Sequence, residues 1–171
     1  MSIQQSLLSL KNLSLIGFIT CIALLASAYF FEYQMELEPC PMCIMQRIAT
    51  LMVAIGCLFA WLFHANTILL KVSSVWTLLS SFFGIYLSNH HRWLQSLPED
   101  QVPACGPSLE YMVDALPINE IITVLLRGNG NCAEVSWSFL SLSMPAWLLV
   151  FFIGFAIASG YACWQSFKRS A

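Results

Sequence analysis

Apolar positions along this chain gather into four long runs, separated by polar segments of unequal length. Leu13 to Phe31 carries no charged side chain. Ile44 to Phe63 is apolar apart from Gln46 and Arg47 at its start, Val72 to Ser88 is uncharged with scattered serines, and Pro145 to Trp164 is uncharged again. A helix needs about 20 such residues to cross the hydrocarbon core of a bilayer. The pattern therefore predicts spanning helices at about 13–33, 44–63, 70–89 and 145–164, with both chain ends on one side. Pro145 suits the first turn of the last helix, where its missing N–H costs nothing. Trp61, Trp93, Trp137, Trp147 and Trp164 lie near span ends, as amphipathic indoles do. The expected fold is an all-α membrane protein: a single integral membrane domain over 1–171, built as an antiparallel four-transmembrane-helix bundle.

The connections differ in what they can do. The loops at about 34–43 and at Phe63–Lys71 are short, whereas 90–144 is long, and a long loop in a compact protein is usually functional or disordered. This one carries apolar runs and two cysteines, which favours function. Within it Ile118, Ile121, Ile122, Leu125 and Leu126 repeat at the spacing of one helix face. Pro117 and Asn119 mark the start of that short helix and Gly128-Asn129-Gly130 its end. Such a helix lies flat on the membrane with its apolar face down, or packs on the top of the bundle.

Composition agrees with a bilayer as solvent: 58% of residues are hydrophobic and 9% charged, against about 25% charged in an ordinary soluble domain. The net charge of −2 offers no electrostatic basis for binding nucleic acid. The nine acidic residues (Glu32, Glu36, Glu38, Glu99, Asp100, Glu110, Asp114, Glu120, Glu134) all fall on one side of the four-span arrangement, with Arg47, Arg92 and Arg127. Lys11, Lys71, Lys168 and Arg169 fall on the other. Lysine and arginine alone vote weakly for cytoplasmic termini. Lys11, the following apolar run and Ala26-Ser27-Ala28 also resemble a cleavable signal peptide, but the run continues through Tyr29, Phe30 and Phe31 and is long enough to span.

Seven cysteines are present. Cys21, Cys57 and Cys163 sit inside apolar runs, where a free thiol packs as a small hydrophobe. Cys40, Cys43, Cys105 and Cys132 lie outside them, and four loop cysteines suggest an oxidising compartment, which breaks the tie over sidedness. Pro39-Cys40-Pro41-Met42-Cys43 stands at the mouth of the second span. There a thiolate feels the partial positive charge of unpaired N–H groups, and Arg47 follows Cys43 by one turn on the same face. An arginine just inside a span is costly, so it either serves a function or snorkels to the headgroups. Haem attachment would require His where Ile44 stands; a zinc site is disfavoured by an oxidising compartment, so no metal is expected. A structural disulfide and a redox pair remain. Cys105 and Cys132 could form a disulfide that staples the long loop, or an exchangeable one, because Cys105 lies in the turn-rich Val102-Pro103-Ala104-Cys105-Gly106-Pro107 and exposed disulfides are open to attack. His90 and His91, ending the third span, fit interfacial residues or groups that relay a proton.

Taken together, these residues resemble the disulfide bond formation protein B (DsbB) family. The matching elements are Pro39-Cys40-x-x-Cys43-Ile44 with Arg47; His91, Leu94-Gln95 and Pro98; Cys105; and Cys132-Ala133-Glu134 with Trp137, Phe139-Leu140, Leu142, Met144-Pro145 and Trp147-Leu148-Leu149. No single piece is specific, but the combination is. The resemblance implies a thiol:quinone oxidoreductase of the bacterial inner membrane, with cytoplasmic termini and periplasmic cysteine pairs. It would reoxidise a periplasmic DsbA-like disulfide donor and pass electrons to the membrane quinone pool, ubiquinone or menaquinone. By position, Cys105 would form the mixed disulfide with the partner and Cys132 would be its mate. Cys40 and Cys43 would be the inner pair, Cys43 nearest the quinone. Arg47 would hold the quinone and His91 would sit near its ring. Other readings are a relative of the vitamin K epoxide reductases, whose Cys-x-x-Cys lies late in the chain, a dedicated oxidase for one client, and a tetraspanin-like organiser, for which the chain is short and lacks a Cys-Cys-Gly run.

Overall fold

The computed structural model describes residues 3–106 and 109–168. Pro107, read above as part of the turn after Cys105, and Arg169, counted among the basic residues, lie outside the described residues. Four long helices form the bundle: α1 (Ile3–Gln34), α2 (Pro41–Leu62), α3 (Thr67–Gln95) and, last in the chain, α6 (Met144–Lys168). The stretches Leu10–Gln34, Pro41–Leu62, Thr67–Gln95 and Met144–Lys168 are long and apolar enough to cross a membrane. Helix α3 runs past the apolar stretch through His90 and His91 to Gln95, because nothing in Asn89–Gln95 breaks a helix and Leu94 has a buried place to go. Outward-facing Ile19, Leu79 and Ile157 are 58–70% exposed, an exterior that lipid solvates and water does not.

Helix α1 packs on α2, α2 on α3, and α3 on α6, while α1 meets α6 only lightly. The serines that look scattered in the sequence explain how α3 holds the centre. Ser73, Ser74, Thr77, Ser80, Ser81, Gly84 and Ser88 form its buried face. In a bilayer no hydrophobic effect drives helices together, so close packing of small residues takes its place. The hydroxyls of Ser74, Thr77 and Ser81 donate back to the carbonyls of Leu70, Ser73 and Thr77 at 2.7–2.8 Å, so each is paired within its own helix. At Gly84 a Cβ would overlap the Phe152 ring of α6, and at Gly56 it would overlap Thr77. Asn66 caps α3 by accepting from the N–H groups of Ile68 and Leu69.

The long connection holds more structure than its pattern predicted. A 3-10 turn at Glu99–Gln101 is followed by a seven-residue helix α4 (Leu109–Ala115), then α5 (Ile118–Arg127), a second 3-10 turn at Gly130–Cys132, and a two-residue ladder of β1 (Ser138–Phe139) and β2 (Leu142–Ser143). Helix α5 stands where the periodicity puts it. It docks on the bundle by its C-terminal end, with Leu125 buried and Leu126 against the core. Ile118 and Ile122 stay 76% and 48% exposed, so the bundle leaves part of the α5 apolar face uncovered.

Candidate functional site

Cys40 occupies the N-cap of α2, with φ −67° and ψ 161°, and Pro41 takes the first helical position. Its sulfur does what a serine oxygen does at most caps, accepting the Cys43 N–H at 3.3 Å. This turn brings the two sulfurs to 2.9 Å, the Cys40 thiol directed at Cys43. The dithiol is therefore fixed by the helix start itself.

Two further groups close on Cys40 from distant parts of the chain. His91 of α3, 2% exposed, brings Nε2 to 3.7 Å from the Cys40 sulfur. Cys132, fully buried, comes from the 3-10 turn after α5. The ligand atoms of Cys40, His91 and Cys132 all lie within 4.8 Å of one another. One helical step separates His90 from His91 and gives them different tasks. His90 bonds the Arg127 carbonyl at 3.0 Å, where α5 ends, and stacks between Tyr86 and Trp93.

Glycines make the approach of the loop possible. Gly128, just past α5, has φ +72° and ψ 171° and caps the helix by donating to the Val124 carbonyl at 2.9 Å. A Cβ there would stand 2.6 Å from Leu94 Cδ1 and 3.1 Å from Met42 Sδ, and both side chains are buried at the mouth. Gly130 donates to the Ala104 carbonyl at 3.2 Å, and a Cβ on it would lie 3.0 Å from the Cys105 sulfur. The Cys105 segment thus lies directly on the turn that carries Cys132, with Cys105 exposed. The four loop cysteines form a path from an exposed sulfur at Cys105 to a buried one at Cys132, with Cys40 and Cys43 half-buried.

Hydrogen bonding polarises this path. Hydrogen bonding with the neighbouring Cys40 side chain lowers the Cys132 pKa to about 6 from 9.0. Backbone contacts at Asn129 and Met42 assist, against the opposing effect of burial. The same bonds to Cys132 and Cys43, with burial, push Cys40 upward. Cys132 is thus the more acidic of the two thiols and Cys40 the less acidic. Asn129, 5% exposed, turns Oδ1 toward the Cys132 sulfur at 3.8 Å, and its Nδ2 is buried without a partner among the described residues. Sequence reasoning used Asn129 only as part of a helix stop; its place beneath Cys132 has no signal in the pattern. Gln46 is also buried, one turn beneath Cys43, donating to Ser88 at 3.2 Å.

Arg47 follows the sulfurs into the span but is turned toward α1. It pairs with Glu32, donates Nη2 to the Ala28 carbonyl at 3.2 Å, and sets its guanidinium 5.0 Å from the centre of the Tyr29 ring. The ion pair with Glu32 and the Tyr29 contact were not foreseen. Tyr29 and Ile48 beside it are 49% and 43% exposed, so this seam opens toward lipid.

Residues 10–162 match the family model described as disulfide bond formation protein DsbB. Among curated relatives named disulfide bond formation protein B, the chain is 42% identical over 158 residues to that of Nitrosococcus oceani, covering 92% of each chain. It is 41% identical to that of Hahella chejuensis, covering 89% of this chain and 92% of the relative. It is 40% identical to that of Methylococcus capsulatus, covering 95% and 99%.

Proposed function

The chain belongs to the DsbB family of membrane disulfide bond formation proteins, and from that premise we propose that it is a quinone-dependent protein-dithiol oxidase of the bacterial inner membrane. Its termini face the cytoplasm and its four loop cysteines face the periplasm. One observation carries the reading: the sulfurs of Cys132, Cys40 and Cys43 converge at the mouth of a membrane-spanning helix, with an exposed Cys105 on the same loop turn.

The exchange begins with Cys105 and Cys132 disulfide-bonded and Cys40 and Cys43 likewise. A thiolate of the reduced DsbA-like partner attacks the Cys105 sulfur, forming a mixed disulfide and expelling Cys132. The Cys132 thiolate attacks the Cys40 sulfur beside it and expels the Cys43 thiolate into the α2 N-terminus, where unpaired N–H groups favour it. The partner's second thiolate then releases itself oxidised and frees Cys105. Cys105 attacks Cys132, restoring the loop disulfide and leaving Cys40 and Cys43 as a dithiol. The net change so far is one disulfide gained by the partner and one lost by the inner pair.

The residues around that dithiol fit a quinone. The seam at Tyr29 and Ile48 is open to a lipid-soluble molecule, and guanidinium carries five N–H donors, of which Glu32 and Ala28 take one each. A bound quinone supplies a two-electron, two-proton sink. Arg47 would orient and polarise an oxygen there, Cys43 would present the sulfur from which electrons leave, and buried His91, with Nε2 3.7 Å from the Cys40 sulfur, would position that thiol. The test is turnover in proteoliposomes with a reduced DsbA-like protein and ubiquinone-1. Wild-type protein is expected to bleach the quinone while Cys43→Ser does not; normal bleaching by Cys43→Ser removes the inner pair from the reaction.

A further inference from the structure

Cys40, His91 and Cys132 gather three soft donor atoms within 4.8 Å of one another, and a fourth, the Cys43 sulfur, lies 2.9 Å from Cys40. Structural zinc is held tetrahedrally by this donor set, three sulfurs and one imidazole nitrogen. Bond lengths of about 2.3 Å to sulfur and about 2.0 Å to nitrogen imply donor–donor edges of roughly 3.5–3.8 Å. The Cys40–His91 separation of 3.7 Å already has that edge length. The Cys40–Cys43 pair must spread slightly, which a Cys-x-x-Cys at a helix start does in many zinc sites. His91 and Cys132 are buried and Cys40 and Cys43 half-buried, the two inner ligands sit where a helix N-terminus favours negative charge, and a backbone N–H is already directed at the Cys40 sulfur.

We infer that the fully reduced chain is a zinc-binding protein, with Cys40, Cys43, Cys132 and His91 as ligands and Cys105 left out. Zn²⁺ displaces three thiol protons to water and takes the neutral imidazole through Nε2, giving a complex of net charge −1. No electrons move. Any disulfide that uses Cys40 or Cys132 removes ligands, so zinc and oxidation exclude each other. An oxidising compartment argues against a resident metal; the ligand set is complete only in the fully reduced chain, once both disulfides have been reduced. The consequence for turnover, a metal that arrests the enzyme in its reduced form, rests on the oxidase reading above, whereas the binding does not.

The test uses the full chain in detergent, reduced with a phosphine and freed of it. Titration with Co²⁺ is expected to give one equivalent bound, with thiolate charge-transfer and tetrahedral d–d bands that Zn²⁺ erases and that the oxidised protein lacks. In the same preparation Zn²⁺ should slow alkylation of Cys40, Cys43 and Cys132 and leave Cys105 reactive, as read by mass spectrometry. Cys105→Ser should bind as wild type. His91→Ala should weaken binding by on the order of a hundredfold, at least what loss of an outer-shell partner costs a metal site. Absence of the bands, protection of Cys105 along with the others, or undiminished binding by His91→Ala overturns the inference. If His91→Ala does not fold, the wild-type protection pattern decides alone. Protein that turns over thiols but ignores zinc sinks only this inference; protein that binds zinc but oxidises nothing sinks only the oxidase reading.

Discussion

Replacing Gly128 with alanine should separate Cys132 from Cys40 without touching either. The backbone at this position, φ +72° with ψ 171°, lies in a region that is essentially confined to glycine, and a side chain there costs about 1–3 kcal/mol. The added Cβ also meets Leu94 at 2.6 Å and Met42 at 3.1 Å. Both contacts are with side-chain ends, but Met42 and Leu94 are 0% and 1% exposed and have little room to yield. That adds about 1 kcal/mol, the low end of overpacking. The sum of about 2–4 kcal/mol shifts the docking of the Asn129–Cys132 turn by roughly 30- to 700-fold, at 1.4 kcal/mol per tenfold. The assay is formation of the Cys40–Cys132 disulfide by a mild oxidant in a Cys43→Ser, Cys105→Ser background, followed on non-reducing gels. Gly154→Ala is the control: its Cβ meets nothing within 4 Å, so it should leave the rate unchanged. An unaltered disulfide rate in Gly128→Ala, with the protein folded, would refute the claim that this glycine seats the loop.

Other outcomes follow from the same geometry. Because the Cys132 pKa is lowered to about 6, thiolate is its main form at pH 7. In fully reduced protein its alkylation rate should be near its plateau at neutral pH and fall as pH drops through 6; Cys40→Ala removes the hydrogen-bond donor and should move that midpoint upward, whereas a midpoint that stays put excludes Cys40 as the cause. Cys132→Ala should accumulate a mixed disulfide between Cys105 and a DsbA-like partner, visible without reductant, and its absence counts against Cys105 as the entry point. Arg47→Ala should raise the apparent KM for quinone several-fold more than that for the partner; the opposite split takes Arg47 out of quinone binding.

The family and the spans were legible in the chain because water forbids long uncharged helices and because the cysteine motifs keep fixed spacing. The helix at Ile118–Arg127 was legible too, since its apolar residues repeat at 3.6 and its ends carry proline and glycine. Helix α4 and the short ladder were not: seven-residue helices and two-residue strands are too short to display a period. Arg47 was recognised as a cation worth explaining, but its partner Glu32 stands at the far end of another span, and sequence spacing says nothing about which helices share a seam.

Sequence by itself determined the solvent of this protein, its four spans, and a dithiol at a helix start, because each depends on neighbours in the chain: hydropathy over a window, a cap, a turn. Tertiary structure decided that Cys132 and His91 meet Cys40, that His90 faces away to hold Arg127, and that the serines of α3 are its packing face. Those facts depend on where a helix is rotated and where a loop folds back, and both are set by the close approach of glycines and serines to side chains far away in the chain.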